Sequence, residues 1–370
     1  MIRALHIRGY RSLRDFRLKL DRVTVVTGAN GVGKSNVYRA LALLQRMAEG
    51  NFAKAVADEG GLPSMLWAGN RLKSEPVRLR WEVELDDLHL EMECGMIPTA
   101  PGDPTEFRTD PDMKLETLRA GGTSGRMMAR RKGPSVELRA PDGQMETSPL
   151  PLHVPESMLS EIRDGIRYPT LMAAREILLA GRFYHHFTTE PHASLRQPRI
   201  GFWSPVLAAD GGNLAAALQT LVESRKSGPL DDAVAMAFPG CEWRPVDDDG
   251  RFQLQLRRPD LKRWLNASEL SDGTLRFFCL CAALLTPKPP PWMVFNEPET
   301  SLHPSLLPSL AELIARASVD TQLIIVTHSR EFATGIAERC PAKVVDLVSY
   351  EDETRPATQA TGKRVWEFEG

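Results

Sequence analysis

The sequence is short of the features that mark several protein classes. It has five cysteines, an odd number, and no Cys-x-x-Cys pair; Cys279 and Cys281 flank a single leucine in an apolar run. A disulfide framework or a cysteine zinc site is not expected, and reduced, buried thiols are. It also has little excess charge of either sign. A net charge of −2 over 370 residues means that the surface as a whole does not attract nucleic acid, so any DNA contact must be a local patch. Long hydrophobic runs are missing. The longest, Phe277–Leu285, falls well below the roughly 20 residues that span a bilayer. Met1–Gly9 has no long apolar core behind its charges and does not read as a secretory signal. These absences predict a soluble, cytoplasmic protein with no membrane partner. No repeat of the solenoid kind is visible.

What is present is enough apolar residue, 42% against 25% charged, for a sizeable core in one large domain or two moderate ones. Ile2–Arg8 reads as a strand, and Arg22–Thr27 as a buried strand that runs straight into Gly28. From Lys34 to Glu49 the apolar positions Val37, Leu41, Leu44 and Ala48 recur at helical spacing, with Gly50 as the stop. Val77–Leu85 and Leu88–Cys94 alternate around Asp86–Asp87 and predict an antiparallel hairpin. Residues 98–150, rich in Pro, Gly, Asp and Arg, read as loops and short strands, with 120–133 as disordered. Helices are expected over 157–181 and over Asn213–Ser227, the latter capped by Asn213. Arg251–Arg257 reads as a strand after an Asp-Asp-Asp-Gly turn. Beyond Asp272 strands at 292–296, 322–327 and 342–348 alternate with helices at 272–285, 304–317 and 330–339, which predicts a parallel, helix-covered sheet.

Gly28-Ala-Asn-Gly-Val-Gly33-Lys34-Ser35 fits the phosphate-loop pattern G-x-x-x-x-G-K-[ST] at every position. Its glycines let backbone N–H groups turn towards a β-phosphate, and the following helix points its positive end there. Lys34 would span the β- and γ-phosphates, and the Ser35 hydroxyl would bind Mg²⁺. The apolar strand Trp292–Phe295 is followed by Asn296 and Glu297. Asn296 takes the place where an acid normally holds a Mg²⁺-bound water; its carbonyl accepts a hydrogen bond but brings no charge. Glu297 is placed to orient or deprotonate the attacking water. His328 follows Leu323–Thr327 at the carboxyl end of a second buried strand, the edge at which open α/β sheets bind ligands. Ser271-Asp-Gly-Thr precedes the helix Leu275–Leu285. Ser271 is either an ordinary helix cap or, with the Gly273 amide, a γ-phosphate contact.

These elements in this order resemble the ATP-binding-cassette ATPases, and specifically the non-transporter branch that includes RecF, SMC heads and the OLD-family ATPase domain. The likeness covers roughly residues 1–50 and 265–350. The lead-in Leu5-His-Ile-Arg-Gly-Tyr-Arg-Ser-Leu-Arg-Asp-Phe and the Leu-His-Pro after Glu297 are similar to those of short bacterial AAA-type ATPases. The resemblance implies an α/β fold: an ABC-type P-loop NTPase head with a mixed or parallel sheet, an antiparallel β subdomain and a mostly helical insertion. The expected boundaries are 1–154, 155–245 and 246–370. Carried over by position, Gly28–Ser35 match the Walker A motif, so Asn30, Gly31, Gly33, Lys34, Ser35 and Asn36 would hold the nucleotide. Ser271–Thr274 match the signature, Val294–Glu297 the Walker B motif and Ser301–His303 the D-loop. Glu297 would be the catalytic glutamate, His328 the switch histidine, and Ser35 with Asn296 the Mg²⁺ site. Arg11 stands where DNA-repair relatives carry a basic residue near the nucleotide, or is a plain surface arginine. Two departures stand out: Asn296 for the usual Asp, and Asp272 for the usual second signature residue. No Q-loop glutamine can be assigned among Gln45, Gln144 and Gln197. The chain reaches Gly370 shortly after the sheet, and no nuclease centre is expected.

Two smaller features carry weaker readings. Arg126, Arg130, Arg131 and Lys132 form either a solvated basic loop or a contact for DNA phosphates. His185, His186 and His192 lack an acid or cysteine at ligand spacing, so a metal site is not favoured there. The whole predicts an ATP hydrolase working with ATP and Mg²⁺ as a homodimer through a nucleotide sandwich, with signature and Walker A acting between chains. Its partner is either DNA or an effector protein, in DNA maintenance or phage defence. The alternative is an ATP-gated binding or scaffold module with little hydrolysis, because Asn296 slows it. A P-loop kinase or transporter subunit is the third class; the signature turn argues against a kinase, and the absence of a partner-coupling Q-loop region argues against a transporter.

Overall fold

The computed structural model describes residues 1–69, 77–98, 105–149 and 151–360. The chain divides into two compact units. One comprises residues 1–21, 28–181 and the chain from Val345 onward; the other comprises Arg22–Thr27 and Arg182–Val344. The expected boundaries near 154 and 245 do not coincide with this division. The stretch read as one helical insertion contributes helices to both units, and strands to the second.

The first unit is built on an antiparallel sheet. β1 (Ile2–Tyr10) and β2 (Leu13–Lys19) form a tight hairpin in which Arg11 takes a left-handed φ of 47°. The chain passes through β3 (Val23–Gly28), whose residues up to Thr27 belong to the second unit, and returns as α1 (Lys34–Glu49), α2 (Phe52–Asp58) and α3 (Leu62–Met65). α1 has the predicted bounds. Gly50 ends it in the left-handed conformation, its N–H reaching back to the carbonyls of Arg46 and Met47. The sheet then continues with β4 (Arg78–Leu85), β5 (Leu88–Met96), β6 (Pro111–Ala120), β7 (Arg126–Lys132), β8 (Ser135–Arg139) and β9 (Met145–Thr147), in the order β2-β1-β4-β5-β6-β7-β8-β9. The β4–β5 hairpin turns at Asp86–Asp87 as predicted. α4 (Met158–Glu161) and α5 (Pro169–Leu179) pack against α1. The single helix expected over 157–181 is therefore two, because Pro169 has no N–H to continue a helix and instead opens a new one.

The reading of 98–150 as loops and short strands is corrected. Residues 99–104 and 150 lie outside the described residues, but most of the rest is the meander β6–β9, including the stretch read as disordered. The basic cluster is not a solvated loop. Strand alternation turns Arg130 and Lys132 to solvent and buries Ala129 and Arg131. The Arg131 guanidinium is fully buried. It pairs with Glu116 at 3.1 Å, donates to the carbonyls of Gly133, Glu156, His153 and Val154, and leaves no free donor for DNA. Burial pushes the Glu116 carboxyl above its ordinary value, against the opposing pull of Arg131, the Ser157 hydroxyl and the Met158 N–H.

The second unit holds β10 (Arg182–Tyr184), β11 (Arg199–Ile200), α6 (Leu214–Glu223), α7 (Gly228–Ala237), β12 (Glu242–Asp248), β13 (Arg251–Arg257), β14 (Leu265–Asn266), α8 (Asp272–Leu284), β15 (Trp292–Asn296), α9 (Leu307–Ala317), β16 (Gln322–Val326) and α10 (Arg330–Ala337). β10, β15, β16 and β3 lie side by side, all parallel. β15 and β16 are buried at every position, as expected of central strands covered on both faces. α8 packs against α6 and α9, burying the thiols of Cys279 and Cys281. All five cysteines are free thiols, and burial pushes those of Cys279 and Cys281 well above their ordinary pKa. Asn213 does not cap α6 through its side chain. Its amide ties down the preceding loop, accepting from Ala208 N and donating to the Val206 carbonyl. β17 (Lys343–Tyr350), β18 (Glu353–Pro356) and α11 (Ala357–Ala360) complete the described chain, β17 and β18 as an antiparallel pair. No helix of the described residues is long and apolar enough to cross a membrane.

Replacing Arg131 by Met is expected to lower the unfolding free energy by about 3–5 kcal/mol, because it strands a buried carboxylate. Glu116→Gln together with Arg131→Met should recover part of that loss. Denaturant titration of the two variants checks both.

Candidate functional site

β3 ends at Gly28, and the chain turns through the loop into α1. Two loop positions admit only glycine. At Gly28, with φ at 152°, a Cβ would stand 2.7 Å from the Leu347 carbonyl. At Gly33, with φ at 98°, it would stand 2.2 Å from Thr354 Oγ1 and 2.5 Å from Ser12 Oγ. Gly31 is left-handed with open space around it, and Asn30 and Ser35 are exposed. Lys34 is buried, its ammonium donating to the carbonyls of Gly28 at 2.8 Å and Ala29 at 2.9 Å. Two of its three donors are thus held by the loop's own backbone, so spanning two phosphates requires exchanging at least one of them.

Beneath the loop runs a chain of hydrogen bonds that sequence reasoning missed. Asn36 Nδ2 donates to Ser12 Oγ at 2.8 Å, Ser12 Oγ meets Thr354 Oγ1 at 2.7 Å, and Thr354 Oγ1 donates to the Val32 carbonyl at 2.7 Å. Thr354 has one hydroxyl proton, committed to Val32, so Ser12 is the donor in the middle link and the whole chain points one way. Asn36, predicted to touch nucleotide, directs its amide to Ser12. Nothing local marks Ser12 or Thr354 as supports; they are far apart in sequence. Arg11 is held at 2.8 Å by Glu59, which also accepts from Tyr10. Gln45 donates to the carbonyls of Leu179 and Gly181.

In the second unit Asn296 is in register with Val326, and Val326 with Val26, so the carboxyl ends of β15, β16 and β3 share one edge. Glu297 N donates to the Val326 carbonyl at 2.7 Å, which turns the chain sharply and leaves Glu297 with a left-handed φ of 51°. A non-glycine residue in that region stores strain, as residues at functional sites often do. His328 Nδ1 lies 3.9 Å from the Glu297 carboxylate and 3.2 Å from that of Glu299. Glu299, which sequence reasoning passed over, is nearly buried and accepts from the Thr327 hydroxyl and from His328 N. Its signal was available: it is the second acid of Asn-Glu-Pro-Glu.

Asn296 is buried. Its Nδ2 faces His185 Nδ1 at 2.7 Å, while its Oδ1 is buried without a hydrogen-bond partner. An orphaned acceptor there fits a donor supplied by a bound group, such as a metal-held water. His185 is therefore an amide partner, and His186 faces Glu190 and Arg276. A small open cleft lined by His185, Arg276, Asn296 and Glu297 has room for about one water at its base.

Ser271 caps α8, its side chain accepting from Thr274 N at 3.2 Å, and it remains exposed. A Cβ on Gly273 would stand 2.8 Å from the Ser301 carbonyl, so the signature turn rests directly on the D-loop of the same chain. The unusual Asp272 has a partner. Arg196, buried, bonds it at 2.5 Å and also donates to the carbonyls of Thr189, Ala267 and Leu270. One guanidinium thus fixes the approach to the signature helix.

A family model described as "AAA domain, putative AbiEii toxin, Type IV TA system" matches residues 173–333, and one described as "AAA ATPase domain" matches residues 1–86. The SmcHead bound to the C-winged helix domain of ScpA superposes with a TM-score of 0.54 at 16% identity, over 97% of this chain and 99% of that one. The Smc head domain with an extended coiled coil from Pyrococcus furiosus, bound to the C-terminal domain of ScpA, does so with a TM-score of 0.50 at 14% identity, over 96% and 95%. The fold is that of an SMC head. The phosphate import ATP-binding protein PstB of Methylobacillus flagellatus is 27% identical over 158 residues, 42% of this chain. The chain spans about half the length of that curated relative, 55%. The two family matches divide the ATPase motifs between them. The first takes in Ser271, Asn296, Glu297 and His328, and the second takes in Gly28–Ser35.

Replacing Thr354 by Val should weaken ATP binding about tenfold, or ~1.4 kcal/mol, with little change in helix content. Calorimetric titration with a slowly hydrolysed ATP analogue checks it.

Proposed function

We propose that the protein binds ATP with Mg²⁺ and hydrolyses it, two copies closing around two nucleotides. The observation that carries this reading is the meeting of Glu297, Glu299 and His328 at the shared edge of three parallel strands, one of which leads into a complete phosphate loop. Gly31, Gly33, Lys34 and Ser35 would bind the phosphates, Lys34 by exchanging its loop carbonyls for phosphate oxygens. Glu297, partly exposed, would take a proton from the attacking water, and His328 would hold that water or the γ-phosphate. Mg²⁺, when bound, neutralises charge on the β- and γ-phosphates; Ser35 and the orphaned Asn296 Oδ1 are the groups suited to hold it or its water. Ser271 and the Gly273 amide at the start of α8 would meet the γ-phosphate held by the other copy. The dimerisation cycle would then act on DNA or on an effector protein. The SMC heads that share this fold are seen bound to ScpA, a precedent for a protein partner.

A second reading is favoured by one observation. Asn296 brings no charge, and its amide nitrogen is engaged by His185. On that reading ATP chiefly holds the dimer closed and turnover is slow. Glu297→Gln is expected to cut steady-state ATP hydrolysis by about 100-fold or more and, with ATP, to give a dimer by light scattering. A monomer at micromolar protein would overturn the clamp. Asn296→Asp is expected to lower the Mg²⁺ concentration for half-maximal turnover about tenfold; wild-type turnover at the Glu297→Gln level would favour the ATP-gated module instead.

A further inference from the structure

The two carboxylates beside His328 differ in burial and in distance. The Glu297 side chain is 35% exposed and stands 3.9 Å from Nδ1, beyond hydrogen-bond reach. That of Glu299 is 5% exposed and stands 3.2 Å from the same nitrogen. Glu299 Oε1 already accepts from the Thr327 hydroxyl and from His328 N, and Thr327 Oγ1 in turn accepts from Ser329 N at 3.0 Å. The carboxylate is thus held by the very turn that carries His328, and it is not free to swing away.

A neutral imidazole carries one proton. With the Glu299 carboxylate 3.2 Å from Nδ1, that nitrogen is the favoured place for the proton, which leaves Nε2 as a bare acceptor on a ring whose side chain is half-exposed. We propose that Glu299 is a positioning residue. It holds His328 in the Nδ1–H tautomer and fixes the ring plane, so that Nε2 is presented to the attacking water or, once protonated, to the γ-phosphate. This division of labour also protects Glu297. If His328 donated Nδ1–H to Glu297, it would occupy the carboxylate that has to receive the proton of the water. The buried acid orients the ring and the exposed acid is left free to act. The inference rests on the reading of the site as a hydrolytic centre, but the tautomer itself does not depend on turnover.

Two measurements on the full chain test it. In protein labelled with ¹⁵N-histidine, long-range ¹H–¹⁵N spectra should show His328, assigned by its loss in His328→Gln, as the Nδ1–H tautomer. Glu299→Gln keeps an acceptor oxygen and should preserve that tautomer; Glu299→Leu should give a mixture. An Nε2–H tautomer in the wild type overturns the proposal, as does an unchanged spectrum in a folded Glu299→Leu. If the leucine variant does not fold, the wild-type spectrum alone decides. In steady-state kinetics Glu299→Leu should lower kcat about 10- to 100-fold, the range seen for groups that orient a functional histidine, with KM for ATP within about twofold. Combined with His328→Ala it should cost nothing further. Losses that multiply would assign Glu299 a separate structural role and overturn the proposal. A wild type without turnover would overturn the hydrolytic reading, and the spectra would still decide the tautomer.

Discussion

The in-register pairing of β15 with β16, and of β16 with β3, is the constraint on which the candidate site depends. Parallel strands end at the same edge only if their registers agree. Here the hydrogen bonds continue one step past the strands, from Glu297 N to Val326 and from Thr327 N to Val26. Those two bonds bring the acid after one strand to within 3.9 Å of the histidine after the next. They also impose the left-handed backbone at Glu297. Burial of every side chain on β15 and β16 makes the register costly to change, because a slip by one residue would break the packing on both covered faces.

Around that edge, each motif is held by residues outside any motif. Ser12 and Thr354 support the phosphate loop through a one-way chain of hydroxyl hydrogen bonds that ends on Val32. Arg196 gathers four backbone carbonyls and Asp272 before the signature helix. Glu299 anchors the turn at His328. Glu299 engages Oε1 and leaves Oε2 buried without a partner, whereas Thr354 and Arg196 are satisfied by several partners at once, the condition under which such groups add rigidity rather than cost stability. The buried Arg131–Glu116 pair does the same in the antiparallel sheet, where all the guanidinium nitrogens find acceptors.

Much of this was legible in the sequence. The phosphate loop, the bounds of α1, the hairpin at Asp86–Asp87 and the strand–helix alternation after Asp272 depend on local pattern, and local pattern is what periodicity and turn chemistry report. The meander β6–β9 was not legible, because its strands are rich in charge and separated by turns that contain Gly. Their alternation is hidden until Arg131 is seen to be an inward-facing residue with a carboxylate partner. The departure at Asp272 looked like a defect of the signature and is an ion pair with Arg196, far away in sequence.

By itself the sequence determined the order of the motifs and the nucleotide-loop chemistry, because those reside in runs of adjacent residues whose backbone conformations follow from glycine, lysine and strand-forming side chains. Tertiary structure alone decided which of two neighbouring carboxylates faces His328, which hydroxyls support the loop, and which arginine is buried. Those outcomes depend on distances of a few ångströms between residues that the chain separates widely, and on burial, which removes water as the competing partner and makes each surviving hydrogen bond count.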